Sequence, residues 1–215
     1  MPGSFLTIEG GEGVGKSTLM KALEVPLREM CPGREVIFTR EPGGTPFADE
    51  VRGLFRRLPG GEKLNPGVEA LLVNAARKDH VDQVIRPALE RGAVVVCDRF
   101  ADSTRVYQGH LGGVDRSVLE SLLSFATGQL QPDLTLLLDL PAETMRDRVG
   151  QRDQDQDRYD GGDLNMYQAM RTGYLNLADE FAVRFAVVEA SASPDEVLKA
   201  CLSHCHRILK KGHKE

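Results

Sequence analysis

The sequence predicts an α/β fold, a doubly wound parallel sheet of five strands. Apolar runs alternate with helical patterns along the whole chain of 215 residues, which is typical of a parallel sheet with helices on both faces. The runs at 93–97 and 134–138 are almost continuously apolar, as expected for strands that are covered on both faces. In such folds, ligands bind outside the carboxyl ends of the strands.

The positions of the individual elements follow from apolar spacing, capping residues and prolines. Strands are predicted near 4–9, 34–39, 93–97, 134–139 and 185–189. Helices are predicted near 16–30, 46–57, 66–90, 115–127, 141–150, 163–183 and 195–210. Asn65 followed by Pro66 is typical of an N-cap with a first-turn proline, whereas Pro26 and Pro87 are expected to bend or end their helices. The length predicts a single domain over 1–215.

Composition and charge argue against several classes of protein. The net charge is −5 and the one basic cluster lies at 210–214, so we expect no nucleic-acid partner, because such proteins normally carry a basic stripe. No apolar segment is long enough to span a bilayer, so we expect no membrane partner. The first residues lack the basic and apolar regions of a secretion signal, which favours a cytoplasmic location.

The cysteines are interpreted as reduced, structural thiols. Four cysteines are spread widely along the chain, as is usual in a cytosolic protein. The run at 201–206 contains two cysteines and two histidines, but it lies on a predicted amphipathic helix. No second ligand pair occurs elsewhere at zinc-site spacing, so a structural role is favoured over a metal site.

The segment 10–17 has the G-x-x-x-x-G-K-S pattern of a phosphate-binding loop. It follows a predicted strand and precedes a predicted helix, which is the context that this motif requires. Backbone N–H groups of such a loop surround the phosphates, the lysine reaches the outer phosphates and the serine hydroxyl reaches Mg²⁺. The sequence therefore predicts a sheet of the P-loop NTPase type. The residues predicted to bind a nucleoside triphosphate, which the resemblance described below identifies as ATP, are Gly10, Gly11, Glu12, Gly13, Val14, Gly15, Lys16, Ser17 and Thr18.

Polar residues directly follow the second and third predicted strands. Arg40 opens the run Arg-Glu-Pro-Gly-Gly-Thr, and Asp98 and Arg99 follow the apolar run at 93–97. A guanidinium at this edge can hold a phosphate through two parallel hydrogen bonds. Asp98 is placed like a Walker-B acid that orients Mg²⁺, together with Ser17. The two arginines favour a second phosphate site.

The segment 151–158 interrupts the pattern because it contains no apolar residue. It can be a solvated surface loop or a mobile lid, near 146–162, that brings arginines over the phosphates. Four arginines alternate there with five aspartates, so there is no net attraction for anions. The residues themselves leave both interpretations open.

Four stretches together resemble the bacterial thymidylate kinase family along essentially the whole chain. They read FLTIEGGEGVGKST, TREPGGT, LLVNAARKDH and DRFADSTRVYQG. The resemblance implies transfer of the γ-phosphoryl group of ATP to dTMP, giving dTDP and ADP in dTTP synthesis. It further implies Mg²⁺ as cofactor, ATP and dTMP as substrates, and a homodimer. The alternative is a related (deoxy)nucleoside monophosphate kinase with altered base preference.

The resemblance also implies roles for single residues at the acceptor site. Arg40 and Arg99 match the arginines that grip the dTMP phosphate, and Glu12 matches a carboxylate near the sugar 3′-hydroxyl. Arg77 matches the arginine facing the thymine edge. Pro42 matches a proline that is often cis in the family.

Four further residues match positions around the base and the sugar. Ser103 and Thr104 match polar positions near the base, and Gln108 matches a position on the pocket wall. Tyr107 matches the tyrosine that leaves no room for a ribose 2′-hydroxyl.

The resemblance implies that the catalytic residues come from the phosphate loop, from the arginines that grip the dTMP phosphate and from the lid. Family members carry a basic residue either in the phosphate loop or on the lid, and here the loop position is Gly13. Arg148 and Arg152 are therefore the catalytic candidates on the lid, beside Lys16 and Arg99. Arg158 matches the arginine of the D-R-x-E motif and is assigned to dTMP binding.

The chain departs from the family at Val73, where a phenylalanine usually stacks on the thymine ring. Losing such a stack costs on the order of 1–3 kcal/mol, which corresponds to roughly five- to 150-fold weaker binding. Either dTMP binds weakly, or another residue such as Phe100 compensates, or the preferred base differs. Val73 is retained as a dTMP-binding position.

Two other functional classes are less consistent with the sequence. A regulatory GTPase would need a guanine-reading N-K-x-D tetrad after a strand, and the sequence contains none. A simple nucleotide-binding protein would keep the phosphate loop without paired acceptor arginines or a lid.

Overall fold

Five parallel strands form one sheet in the order β2-β3-β1-β4-β5 in the computed structural model, which describes residues 2–57, 64–151 and 162–211. The strands are β1 Ser4–Glu9, β2 Val36–Arg40, β3 Val94–Asp98, β4 Leu134–Asp139 and β5 Phe185–Glu189. The α-helices are α1 Lys16–Met30, α2 Pro46–Arg57, α3 Pro66–His80, α4 Arg86–Glu90, α5 Ala101–Thr104, α6 Arg116–Thr127, α7 Ala142–Gly150, α8 Leu164–Glu180 and α9 Pro194–Lys211. Strand β1 lies between β3 and β4, so the segments after β1 and β3 leave the same edge of the sheet side by side.

The central strands are buried on both faces, which explains their continuous apolar runs. Val94 and Val96 pack on the face that α1 and α9 cover, whereas Val95 and Cys97 pack on the opposite face against Ile85. Successive side chains of a strand point to opposite faces, so a strand covered twice needs apolar residues at every position. The predicted α/β fold with a parallel five-stranded sheet is confirmed.

Most predicted elements are confirmed within a few residues, but two helical regions differ from the prediction. The predicted helix at 66–90 is divided by a π-helical turn at Val81–Ile85. A helical segment at 101–111, formed by α5 and a π-helical stretch Arg105–Leu111, was missed, because its mixed composition shows no helical apolar spacing. Asn65 is the N-cap of α3 and accepts a hydrogen bond from the Gly67 N–H group (2.8 Å).

The predicted lid near 146–162 lies largely outside the described residues. Helix α7 ends at Gly150 and α8 begins at Leu164 on its two sides. Among the described helices, none has a run of apolar residues long enough to cross a membrane.

A buried ion cluster ties the missed segment to the edge of the sheet. The carboxylate of Asp102 is 1% exposed and accepts hydrogen bonds from both Nη atoms of Arg184, at 2.7 Å each, and from Arg105 (3.0 Å). Arg184 also donates to the hydroxyl of Thr135 (2.7 Å) on β4. The cluster therefore anchors the start of the 101–111 segment to the neighbouring strand.

We expect Asp102→Ala to lower the free energy of unfolding by about 3 kcal/mol, because it leaves a guanidinium without its carboxylate in a mostly buried position. Urea unfolding measures the loss. Glu180→Ala is the matched control: its pair with Arg116 is 38% and 68% exposed, so a change within about 1 kcal/mol is expected. Equal losses in the two variants would contradict a special role for the buried cluster.

Candidate functional site

The segments that follow β1, β2 and β3 surround an open cleft of about 780 Å³ at the carboxyl edge of the sheet. Nine of the predicted acceptor residues line the cleft: Glu12, Pro42, Val73, Arg77, Arg99, Ser103, Thr104, Tyr107 and Gln108. The fold thus brings together residues that are far apart in the sequence, such as Glu12 and Arg99.

The phosphate loop requires glycine at Gly13 for two reasons. Its φ of +78° is one that side chains rarely adopt, and a Cβ there would lie 2.8 Å from the carbonyl oxygen of Met145. An arginine at this loop position would therefore be strained in this structure. Besides Lys16, a basic side chain that reaches the phosphates must therefore come from outside the loop.

Lys16 is buried at the first turn of α1 and folds back on the loop. Its Nζ donates to the carbonyl oxygens of Gly10 (3.0 Å) and Gly11 (2.7 Å). Burial, and next the positive charge of Arg99, lower the pKa of Lys16 to about 8. Helix α1 starts at Gly15 without a side-chain cap, which leaves its first N–H groups for an anion.

Arg99 connects the phosphate loop to the cleft. Its Nη1 donates to the carbonyl oxygen of Gly10 (3.2 Å), to Ser103 (3.2 Å) and to the Tyr174 hydroxyl (3.1 Å). Its Nη2 donates to Glu12 at 2.7 Å. Its φ of +68° is an uncommon backbone conformation for a residue with a side chain. Such strain is typical of functional sites.

Tyr107 lies under the same guanidinium. The Arg99 carbon Cζ is 5.0 Å from the centre of the Tyr107 ring, and the Tyr107 hydroxyl donates to Glu12 at 2.6 Å. The three predicted residues Glu12, Arg99 and Tyr107 therefore form one connected unit.

Glu9 and Tyr174 support this unit and were missed by the sequence analysis. The buried carboxylate of Glu9 accepts hydrogen bonds from the Phe100 N–H group (2.7 Å), the Ser103 hydroxyl (2.6 Å) and the Tyr174 hydroxyl (3.1 Å). Burial, and next the charge of Asp102, raise the pKa of Glu9 to about 7. The sequence could have indicated Glu9, because an acidic residue at the end of an apolar strand is a candidate site residue. Tyr174 lies on α8 and had no such indication.

Arg77 is held at the other end of the cleft by four contacts. Its Nε donates to Glu41 (2.7 Å), its Nη1 to Asn74 and Thr104 (3.0 Å each), and its Nη2 to the carbonyl oxygen of Phe100 (3.0 Å). Glu41 is another residue that the sequence analysis missed.

His80 extends the Glu41 contact toward strand β2. Its Nδ1 lies 3.2 Å from Glu41 Oε1, and its Nε2 lies 2.7 Å from the Thr39 hydroxyl. The peptide bond before Pro42 is cis, as the resemblance implied. Glu41 thus joins the turn after β2 to helix α3.

Several predicted residues lie outside the cleft. Arg40 is 57% exposed and lies 3.9 Å from Asp49, and Arg148 is exposed on α7. Ser17 and Thr18 are exposed at the start of α1. Arg152 and Arg158 lie outside the described residues.

Asp98 ends β3 next to the phosphate loop. Within the described part of the chain, its Oδ1 is buried and accepts no hydrogen bond. A buried carboxylate oxygen normally has a partner, so this atom suits a cation or a water molecule held by a cation.

Comparisons with known proteins show the family of this chain. The family model for thymidylate kinase matches residues 8–201. This chain belongs to the thymidylate kinase family. A thymidylate kinase of Desulfovibrio desulfuricans is 42% identical over 213 residues, covering 96% of this chain and 97% of the relative. One from Pseudomonas fluorescens is 46% identical over 191 residues, covering 89% of each chain.

A solved structure matches as well. The crystal structure of thymidylate kinase from Ehrlichia chaffeensis has a TM-score of 0.79 and 28% identity, covering 95% of this chain and 100% of that one. The predicted family and an ATP-dependent dTMP kinase activity are confirmed by this membership. The alternative of another monophosphate kinase is not supported.

We expect binding of a nucleoside triphosphate to take up protons near pH 8, because phosphate next to Lys16 raises a pKa that burial has lowered to about 8. The affinity for ATP should therefore fall as pH rises through this value. Titration calorimetry in buffers of different ionisation enthalpy measures the uptake. Lys21→Met, at an exposed position of α1, should keep it, whereas Lys16→Arg should abolish it. Uptake that persists in Lys16→Arg would assign the proton to another group.

Proposed function

We propose that this member of the thymidylate kinase family binds ATP at the 10–18 loop and dTMP in the cleft. We further propose that Arg99 aligns the γ-phosphate of ATP with the phosphate of dTMP. The observation that carries this assignment is the position of Arg99, which contacts Gly10 of the loop and also lines the cleft. In-line transfer between two anions needs positioning and charge neutralisation more than covalent chemistry. Lys16 supplies positive charge on the ATP side of the transfer, and Arg99 supplies it on the dTMP side.

The acceptor needs no strong general base. The second pKa of a phosphomonoester is about 6, so the dTMP phosphate is already an anion near neutral pH. His80 is engaged by Glu41 and Thr39, which assigns it a structural role.

Arg77 is suited to select a pyrimidine with a carbonyl group at its edge. A guanidinium has five N–H groups, and Arg77 uses four of them in hydrogen bonds to the protein. The remaining Nη2 N–H group can donate to the O4 atom of thymine, whereas cytosine presents an amino group at that position. Gln108 donates its Nε2 to Glu69 (3.1 Å), which leaves its amide oxygen as an acceptor for the thymine N3–H group.

Ser17 and Asp98 would hold Mg²⁺, with the unpaired Oδ1 of Asp98 as the fitting donor. When bound, the ion would neutralise charge on the transferred phosphoryl group. Arg148 on α7, and Arg152, which lies outside the described residues, would supply further positive charge to the phosphates. The strain that excludes a side chain at Gly13 supports this placement.

The four cysteines of the chain are unpaired and buried. Free thiols are typical of a reducing compartment. The cytoplasmic location inferred from the sequence stays a prediction that these thiols support.

Arg99→Ala is expected to lower kcat/KM for dTMP by about 30-fold or more, because a buried charged hydrogen-bond partner is removed from the acceptor side. The value for ATP should fall much less. A coupled assay of ADP formation, with dTMP present and absent, measures both. Arg91→Ala removes an exposed arginine that pairs with Glu35 and should change neither value. Equal losses of kcat/KM for dTMP and for ATP would contradict the role of Arg99 in holding the dTMP phosphate. ADP formation that does not depend on dTMP would contradict the proposed kinase function.

We also propose that two copies of the chain associate through helices α3 and α6. These helices pack against each other, and each exposes apolar side chains on one face: Val68 (43%), Leu71 (58%), Val118 (53%) and Phe125 (75%). Large exposed apolar side chains on two packed helices are candidates for an interaction surface, and the family resemblance favours a second copy as the partner.

Phe125→Glu should convert this dimer to a monomer, because it places a charge at the centre of an apolar contact. Sedimentation velocity over a range of protein concentrations measures the mass. Val183→Glu alters an exposed apolar residue at another site and should leave the dimer intact. A wild-type protein that stays monomeric throughout would exclude the association.

A further inference from the structure

The cleft must cover the faces of the acceptor base although Val73 provides no aromatic ring. Three aromatic residues line the cleft among the described residues: Phe55, Phe100 and Tyr107. Base–aromatic stacking strengthens binding roughly five- to 150-fold per base in other proteins. The affinity for the acceptor therefore depends on which of these rings stacks on the base.

Phe100 is poorly placed to stack on a base. Its side chain is 0% exposed, and its ring meets the ring of Phe5 edge-on, with centres 4.9 Å apart. The Arg77 guanidinium lies over the Phe100 ring at 5.4 Å, so one face of this ring is already covered by a cation. Phe100 does not replace the missing phenylalanine.

Tyr107 is engaged at the phosphate end of the cleft. Arg99 lies over its ring, and its hydroxyl donates to Glu12. A base stacked on the Tyr107 face that Arg99 covers would have to displace the guanidinium that we assign to the acceptor phosphate. This ring therefore belongs with the phosphate and the sugar.

Phe55 lies on the apolar wall of the cleft. It is one turn after Arg52 on α2, and residues three apart share a face of a helix; both line the cleft. Arg52 donates to the carbonyl oxygen of Pro42 at 3.2 Å, which fixes this face of α2 against the cleft. Phe55 and Leu72 pack against the buried contact between α2 and α3, and Leu72 directly precedes Val73.

We propose that Phe55 is the specificity-determining aromatic residue of this chain, and that the acceptor base stacks on its ring while Val73 covers the opposite face. The aromatic contribution would then come from α2 instead of α3. A valine at position 73 leaves the space that a second ring would take. This inference rests on the proposed function, because it concerns how the same cleft holds the base of dTMP.

Phe55→Leu is expected to raise KM for dTMP about ten-fold, within the range that loss of one stack predicts. KM for ATP should stay unchanged. The inhibition constant of 2-deoxyribose 5-phosphate, which lacks a base, should also stay unchanged. Phe47→Leu, at a 51% exposed position of the same helix, is the matched control and should alter none of these values.

Rescue separates stacking from simple packing. In the double variant Phe55→Leu/Val73→Phe, KM for dTMP should return to within about three-fold of the wild-type value, because a ring is restored on the other wall. An unchanged KM in Phe55→Leu would overturn the proposal, as would a loss that Val73→Phe does not rescue. Weaker binding of 2-deoxyribose 5-phosphate would overturn it too, because the effect would then not concern the base. Wild-type protein that fails to phosphorylate dTMP would instead contradict the proposed function itself.

Discussion

The site depends on one largely buried guanidinium, that of Arg99, whose side chain is 17% exposed and lies between the phosphate loop and the acceptor cleft. It donates to Gly10 on one side and to Glu12 on the other. A cation at this place can neutralise phosphate on both sides of the transfer, and it is worth more here than in water because the site is partly desolvated. The positive φ of Arg99 directs this side chain toward both partners.

Burial of the supporting groups changes their acid–base behaviour. The pKa of Glu9 is raised to about 7 by burial, and that of Lys16 is lowered to about 8 by the same cause. Both shifts have the sign expected when water is removed from a charged group. The free protein therefore has a lysine that is readily deprotonated and an acid that is readily protonated beside one binding site. Bound phosphate would restore the charge of the lysine.

Much of the cleft was predictable because its residues sit directly after strands. Arg99 and Asp98 follow an apolar run, and parallel strands end at one edge, so their meeting follows from topology. Arg77 and Val73 required the resemblance, since a residue on a helix carries no comparable local signal. Phe55 was missed because a phenylalanine in an amphipathic helix is indistinguishable in sequence from a core residue. The burial of the Phe100 ring and its contact with Arg77 argue against the compensating role suggested for Phe100, and neither feature can be read from a sequence.

The sequence by itself determined the α/β class, the parallel sheet, the phosphate loop and the family, because all of these are local patterns or ordered series of them. Only the tertiary structure decided which side chains meet. Tyr174 reaches Glu9 across 165 positions, Arg184 pairs with Asp102 across 82, and Phe55 shares a cleft with Val73. These contacts depend on how helices pack on the sheet, and packing is set by the shape and burial of many side chains at once. No short stretch of sequence encodes that arrangement.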